Sequence, residues 1–424
     1  MRIALLTYST KPRGGVVHTL ALAEALVAAG EHVDVWTLGR GGDQAFFRRV
    51  DPRVGLRVVP FEGLDRESVG ERIIRSIETL RRAFTPRDYD VVHAQDCISA
   101  NAVEQCIRTV HHLDTFTTPE LVACHERAIV RPRALVCVSA AVAGEVAAGW
   151  GRTATVIANG VDSARFEAAA GETPDARAAR LRWQQSLGTY VLAVGGIEPR
   201  KGSIDLLEAF ARVRSSVPDA RLVFAGGETL FDYSDYRRRF EARAAELGIE
   251  YTLLGTVVDD DLPALVAGAA MLSFVSTKEG FGLAAMEALA AGVPVVARDL
   301  PVLREVFGGA VAYAADVAGI ARTLAALLAL RAAPAAAAPA FSPRPVGEGG
   351  GGEWSAAEGR ALARSYSWAS AAAAHRELYR AILAEEAASA APSAAAESSA
   401  ESVAALSANA AGGRGGDAPE PSAG

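Results

Sequence analysis

No run of about 18 uncharged apolar residues occurs in the chain, so no helix-length membrane span is expected. The opening, Met1 to Tyr8, is too short for a secretory leader and is soon interrupted by Lys11 and Arg13; the cytoplasm is the expected address. Cysteine is scarce. The four cysteines, Cys97, Cys106, Cys124 and Cys137, lack the close pairing of a zinc site and read as reduced, mostly buried thiols. Basic excess is missing as well: 43 Lys and Arg against 50 Asp and Glu leave a net charge of -7, which argues against a nucleic-acid partner. The first strand-to-helix loop has no Gly-x-Gly-x-x-Gly, which disfavours a nicotinamide-dependent oxidoreductase.

What is abundant is core-forming material. Half of the 424 residues are hydrophobic, enough for two α/β domains of about 160 to 180 residues each. Short apolar strands are expected at Ile3 to Thr7, Val33 to Trp36, Leu56 to Val59, Val91 to Val92, Thr109 to Val110, Leu135 to Val138 and Thr155 to Ile157. A polar, Ala-rich connection follows. The rhythm then restarts with strands at Tyr190 to Val194, Arg221 to Ala225, Tyr251 to Leu254, Met271 to Val275, Val293 to Ala297 and Ala310 to Tyr313. The division predicted is 1–165 and 189–331 for two doubly wound, Rossmann-like domains facing a cleft, joined by 166–188. Residues 332–357 and 386–424, rich in Ala, Gly, Pro and Ser, are expected to be disordered, with a helix at 358–385 between them.

The most informative segment is Glu279-Gly280-Phe281-Gly282-Leu283-Ala284-Ala285-Met286-Glu287. A strand leads into Gly-Phe-Gly, whose glycines let a ligand approach the backbone where a helix begins. A helix start offers free amides and favours an anion. On that helix the two carboxylates would lie on the order of 12 Å apart, the scale of a sugar–diphosphate–nucleoside. The alternative is an ordinary turn and core helix with two solvated glutamates.

With the following Gly292-Val293-Pro294-Val295-Val296, the segment resembles the Glu-x7-Glu motif of retaining glycosyltransferases of family 4. The resemblance runs from residue 1 to about 331 and resumes at 358–384, where the last helix would cross back to the first domain. It implies the GT-B fold, with acceptor domain first and nucleotide-sugar donor domain second. It implies Glu279 on the transferred sugar, Glu287 on the ribose, and the diphosphate on the amides of Phe281, Gly282 and Leu283, with Gly280 allowing close approach. In Val194-Gly195-Gly196-Ile197-Glu198-Pro199-Arg200-Lys201-Gly202, Lys201 matches the family's diphosphate-binding lysine, but Gly196 stands where the family places an arginine. Arg200 is the candidate replacement.

In the first domain, Gly14-Gly15 is placed like the family's first glycine-rich loop, and His93 resembles a strand-end histidine of mainly architectural use. His18 reads as a surface or packing residue. Arg108-Thr109-Val110-His111-His112-Leu113-Asp114 ends a strand in two histidines. The resemblance implies a histidine near the anomeric carbon, and Thr-Val-His favours His111 over His112; adjacent strand residues face opposite ways, so only one histidine is expected to face the cleft, and His112 and Asp114 instead bind the acceptor or pair with one another. Asp259-Asp260-Asp261 contains a metal-like Asp-x-Asp, but Pro263 follows, and the aspartates read as helix caps. No cofactor and no metal are therefore expected. The expected activity is retaining, metal-independent transfer from a UDP- or GDP-sugar to a carbohydrate, lipid-linked or small-molecule acceptor. The rivals are an epimerase, a phosphorylase and a non-catalytic sugar-nucleotide-binding protein. Val69, Ile73, Ile77, Leu80 and Phe84 beside Arg72, Arg75, Arg81 and Arg82 form a basic amphipathic pattern. A core-facing helix is favoured there over peripheral membrane contact.

Overall fold

Strands buried on both faces, such as Ile3–Leu6, belong in parallel sheets covered by helices, and the chain builds two of them. The computed structural model describes residues 1–64, 66–103, 105–114, 116, 118–227, 233–332 and 355–390. The first sheet contains β1 (Arg2–Leu6), β2 (His32–Arg40), β3 (Gly55–Phe61), β4 (Val91–Ala94), β5 (Ile107–Val110), β6 (Ala134–Cys137) and β7 (Thr155–Val156). The second contains β8 (Thr189–Val194), β9 (Ala220–Ala225), β10 (Tyr251–Leu253), β11 (Met271–Phe274), β12 (Val295–Arg298) and β13 (Ala312–Ala314). Their orders are β3-β2-β1-β4-β5-β6-β7 and β10-β9-β8-β11-β12-β13, with parallel pairing throughout. Each order reverses once, between β1 and β4 and between β8 and β11, where ligands of such sheets bind.

The helices of the first half are α1 (Gly14–Ala28), α2 (Val69–Ala83), α3 (Cys97–Ala102), α4 (Pro119–Val130) and α5 (Ala140–Trp150). The expected connection is itself helical, α6 (Ser163–Ala170) and α7 (Pro174–Leu187). Few apolar residues announce it, yet Phe166 and Leu187 are buried in the core of the second half. There follow α8 (Ser203–Arg214), α9 (Ser234–Leu247), α10 (Leu262–Gly268), α11 (Leu283–Ala290), α12 (Pro301–Phe307) and α13 (Val317–Ala332). After these come α14 (Ala356–Ser365) and α15 (Trp368–Ala390). Of the segments expected to be disordered, 333–354 and 391–424 lie outside the described residues, while 332 ends α13, 356–357 open α14 and 386–390 continue α15.

The basic amphipathic pattern folds as α2, opened by a Ser68–Glu71 capping box. Ile73, Ile77 and Leu80 face the core. Arg75 pairs with Glu67 and lies over Phe61, Arg82 pairs with Glu78, and Arg81 donates to the carbonyl of Asn101. No described helix is long and apolar enough to cross a membrane.

The two halves meet at their carboxyl edges. A Cβ placed on Gly280 would stand 1.6 Å from the carbonyl oxygen of His111, so only glycine permits this backbone approach. Glu305 on α12 accepts from the amides of Ala140 (2.6 Å) and Ala141 (2.8 Å), capping α5 from the opposite half. At the chain's return, Val161 N–H donates to Tyr366 O (2.9 Å), and the backbone of Ser367 and Trp368 lies against Gly160. Gly280→Ala is expected to destabilise by about 1 to 3 kcal/mol through overpacking. Gly144→Ala, inside α5 with open space at its Cβ, should be neutral or stabilising. Denaturant melts of both variants check the contrast.

Candidate functional site

Between the carboxyl edges lies a cleft of about 1200 Å³. All the residues singled out as site candidates, from Gly14 and Gly15 through His111, His112, Asp114, Arg200 and Lys201 to Glu279–Leu283 and Glu287, line it. Gly14 and Gly15 open α1 at the end of β1, and Gly15 packs on the His111 ring. The β8 loop and the β11 loop face one another across the switch point.

Those two loops are joined by charge. Glu279 Oε1 accepts from Lys201 Nζ at 2.7 Å and from Arg200 Nη1 at 3.0 Å. Burial opposes ionisation of Glu279, but Lys201 and Arg200 outweigh it and hold its carboxyl at about 2. Burial likewise disfavours the Arg200 cation, and Glu279, Glu198 and Asp114 more than offset it, raising its pKa. Gly282, with φ of 104°, starts α11, and no side chain caps that helix. Its first amides are therefore left for a ligand.

Glu287 occupies a different environment. Burial pushes its carboxyl up to about 8; Asp259 and Asp162 add to this, while Arg165 opposes them. Arg165 is held by Asp259 at 2.8 Å. The aspartate run thus departs from the expected role: Asp259–Asp261 forms a 3-10 turn of its own, no side-chain cap bond reaches α10, and Asp259 serves Arg165. Among the described residues no cluster of His, Cys, Asp or Glu has the geometry to hold a metal.

The two histidines both line the cleft, against the expectation that only one would. The strand ends at Val110, so its alternation does not reach them. The His111 ring stands 4.8 Å from that of His18. Burial, with His112 and Arg108 nearby, brings its pKa down to about 3, and its Nε2 has no hydrogen-bond partner. His112 Nε2 bonds Asp114 Oδ2 at 2.9 Å. Asp114 is thereby depressed despite its burial, with Arg200 and Lys278 adding to the effect. His18 is a packing residue, buried and bonded to Asn159 Oδ1 at 2.8 Å. His93 bonds Thr109 Oγ1 at 2.8 Å.

Gly196 is explained by packing. A Cβ there would lie 2.7 Å from Gly227 O, so the loop after β9 leaves no room for a side chain. Sequence reasoning gave no role to Glu198, Asp162, Arg165, Arg108 or His125, all of which line the cleft. A charged Arg108 within a strand otherwise made of Ile107, Thr109 and Val110 was the available signal.

Residues 183–338 match the family model for glycosyl transferases group 1, and residues 12–165 match glycosyltransferase family 4. The phosphatidyl-myo-inositol mannosyltransferase of Mycobacterium tuberculosis is 30% identical over 324 residues, covering 72% of this chain and 80% of that one. The chain belongs to the group 1 glycosyl transferases. The D-inositol 3-phosphate glycosyltransferase of Salinispora arenicola is 29% identical over 376 residues, 77% of this chain and 84% of its own. Among solved structures, sucrose-phosphate synthase of Thermosynechococcus elongatus superposes with a TM-score of 0.69 at 20% identity, covering 91% of this chain and 99% of that one. The lipopolysaccharide glycosyltransferase WaaG gives 0.65 at 17%, covering 89% and 99%. The shared fold is GT-B.

The raised pKa of Glu287 carries a stability consequence. Between its ordinary value of 4.5 and about 8 the unfolded chain ionises while the folded carboxyl stays protonated, so its contribution is complete below 4.5 and lost as pH rises through 8. Glu287→Gln should therefore raise Tm at pH 8 and leave it nearly unchanged at pH 4.5. Calorimetry at both pH values checks this.

Proposed function

We propose that this glycosyltransferase moves a sugar from a UDP- or GDP-sugar to a hydroxyl acceptor, retaining the anomeric configuration and using no metal. One observation carries the reading: Lys201 and Arg200 converge on Glu279 beside the uncapped start of α11. A diphosphate bound there meets two cations and the amides of Phe281, Gly282 and Leu283, all on preorganised backbone. Glu279 takes hydroxyls of the transferred sugar and Glu287 those of the ribose. Gly14 and Gly15 close over the phosphates.

The bond from the anomeric carbon to the diphosphate oxygen breaks as the acceptor oxygen attacks from the same face. The departing phosphate oxygen takes the acceptor proton, so no enzymic nucleophile is required. His111, neutral at working pH, sits beside the reacting carbon, with His112 and Asp114 toward the acceptor. Residues 1–165 would carry the acceptor and 189–331 the donor, in the cytoplasm, with the inositol-based acceptors in the relatives' names suggesting a polyol, free or lipid-linked. Burial of the α2 stripe argues against peripheral membrane contact through that helix.

Glu279→Gln is expected to lower kcat tenfold or more, while Glu287→Ala chiefly raises the KM for donor. Wild-type kinetics in both variants, with a donor that turns over, would overturn the assignment. Arg200→Ala and Lys201→Ala should each weaken UDP or GDP binding by about 1.5 to 3 kcal/mol, the range for a charged hydrogen bond. Chelator should leave turnover intact, and NMR of the product should show the donor's anomeric configuration. Loss of activity rescued by magnesium or manganese would end the metal-free reading. Gly196 favours one second reading, donor binding without transfer, and any turnover of a nucleotide sugar excludes it.

A further inference from the structure

Two of the four cysteines come together on the first-half wall of the cleft. Cys97 opens α3 and lines the cleft, half-buried, whereas Cys124, on α4, is fully buried. One side chain clamps both residues: Asn101 Nδ2 donates to Cys97 O and to Cys124 O, each at 2.7 Å, and meets Cys124 Sγ at 3.5 Å. Cys97 packs against the apolar cluster that contains Cys124, Ile98 and Leu121. Hydrogen bonding between the thiols is the largest influence on each, lowering the pKa of Cys97 and raising that of Cys124, so Cys124 keeps its proton and donates it toward the Cys97 sulfur. Arg108 favours a Cys97 thiolate further, against burial and Asp96. Cys106 and Cys137 differ: both are buried, neither lines the cleft, and burial pushes each up to about 12.

A cysteine that is reachable from solvent and has thiolate character is the one that oxidises, and a second thiol within reach turns the product into a disulfide. We propose that Cys97 and Cys124 are an oxidisable dithiol, which hydrogen peroxide entering through the cleft closes to a disulfide. Cys97 Sγ attacks one peroxide oxygen, the O–O bond breaks, and the departing hydroxide takes the thiol proton as water, leaving Cys97 as a sulfenic acid. Cys124 Sγ then attacks Cys97 Sγ, the S–O bond breaks, and the second hydroxide leaves as water with the Cys124 proton. The two sulfurs give up two electrons in all, and one peroxide is reduced to two waters. A soluble dithiol reverses the bridge by exchange. The bridge ties α4, which carries Leu121 and His125 of the cleft wall, to the start of α3. Lys201, Arg200 and α11 belong to the other half, so on the donor-site reading the bridge alters the acceptor-facing wall and spares the diphosphate seat.

The test exposes the reduced full chain to hydrogen peroxide and maps its cysteines by mass spectrometry after digestion. A Cys97–Cys124 cross-link is expected, two hydrogens lighter than the pair of thiol peptides and dissolved by dithiothreitol, with Cys106 and Cys137 still open to alkylation once the chain is unfolded. Survival of all four thiols, Cys97 stopping at sulfinic acid, or Cys97 bridged to Cys106 overturns the inference. In Cys124→Ser the Cys97 sulfenic acid should persist, so that dimedone traps it several-fold more than in the wild type; equal trapping denies Cys124 its part. Should that variant not fold, the wild-type map decides alone. Calorimetry with UDP and GDP should give affinities for reduced and bridged protein that agree within about twofold. A larger change with the bridge in place overturns the sparing of the diphosphate seat, and binding of neither nucleotide by the reduced protein overturns the donor-site reading instead.

Discussion

Contact between the backbone of Gly280 and the carbonyl of His111 sets everything else in the cleft. It brings the loop after β11 against the loop after β5, and with them the carboxyl edges of two sheets formed from opposite halves of the chain. Glu279 stands next to one side of that contact and His112 next to the other. The spacing between groups of the two halves is thus fixed by main chain, not by flexible side chains. That precision is what chemistry between two bound substrates requires.

Charge in the cleft is distributed by the same backbone. The donor end holds Glu279 ionised beneath two cations, whereas Glu287, four helical positions past the start of α11, is kept protonated near neutrality by burial and acidic neighbours. Two carboxylates of one motif therefore hold their protons in opposite ways, one depressed and one raised, because of where their partners come from. Lys201 and Arg200 arrive from the β8 loop, Asp162 and Asp259 from the elements flanking α6 and α10.

Local spacing made part of this legible. The Gly-Phe-Gly turn, Lys201 and the strand-ending histidines are short-range patterns, and each lies at a carboxyl edge, as its position after an apolar run implied. Tertiary partners were not legible. Asp259 looked like a helix cap because its neighbours in sequence favour one, but Arg165, distant in sequence, takes it. Residues 166–188 read as a polar, Ala-rich connection since only Phe166 and Leu187 among them are buried, although these two anchor two helices. Gly196 looked like a lost cation and is instead a steric requirement of Gly227. Arg108 was passed over because a strand reading tracks apolar residues and begins at Thr109.

The docking of Tyr366 and Trp368 on Gly160 and Val161 has a mechanical meaning. The polypeptide crosses between the halves twice, once near Val161 and again near Trp368, and the two crossings are pinned side by side. A joint with two adjacent pivots bends about the line through them and resists twisting. The loop after β11 is thereby held to its seat on the His111 carbonyl by two crossings of the chain and not by one.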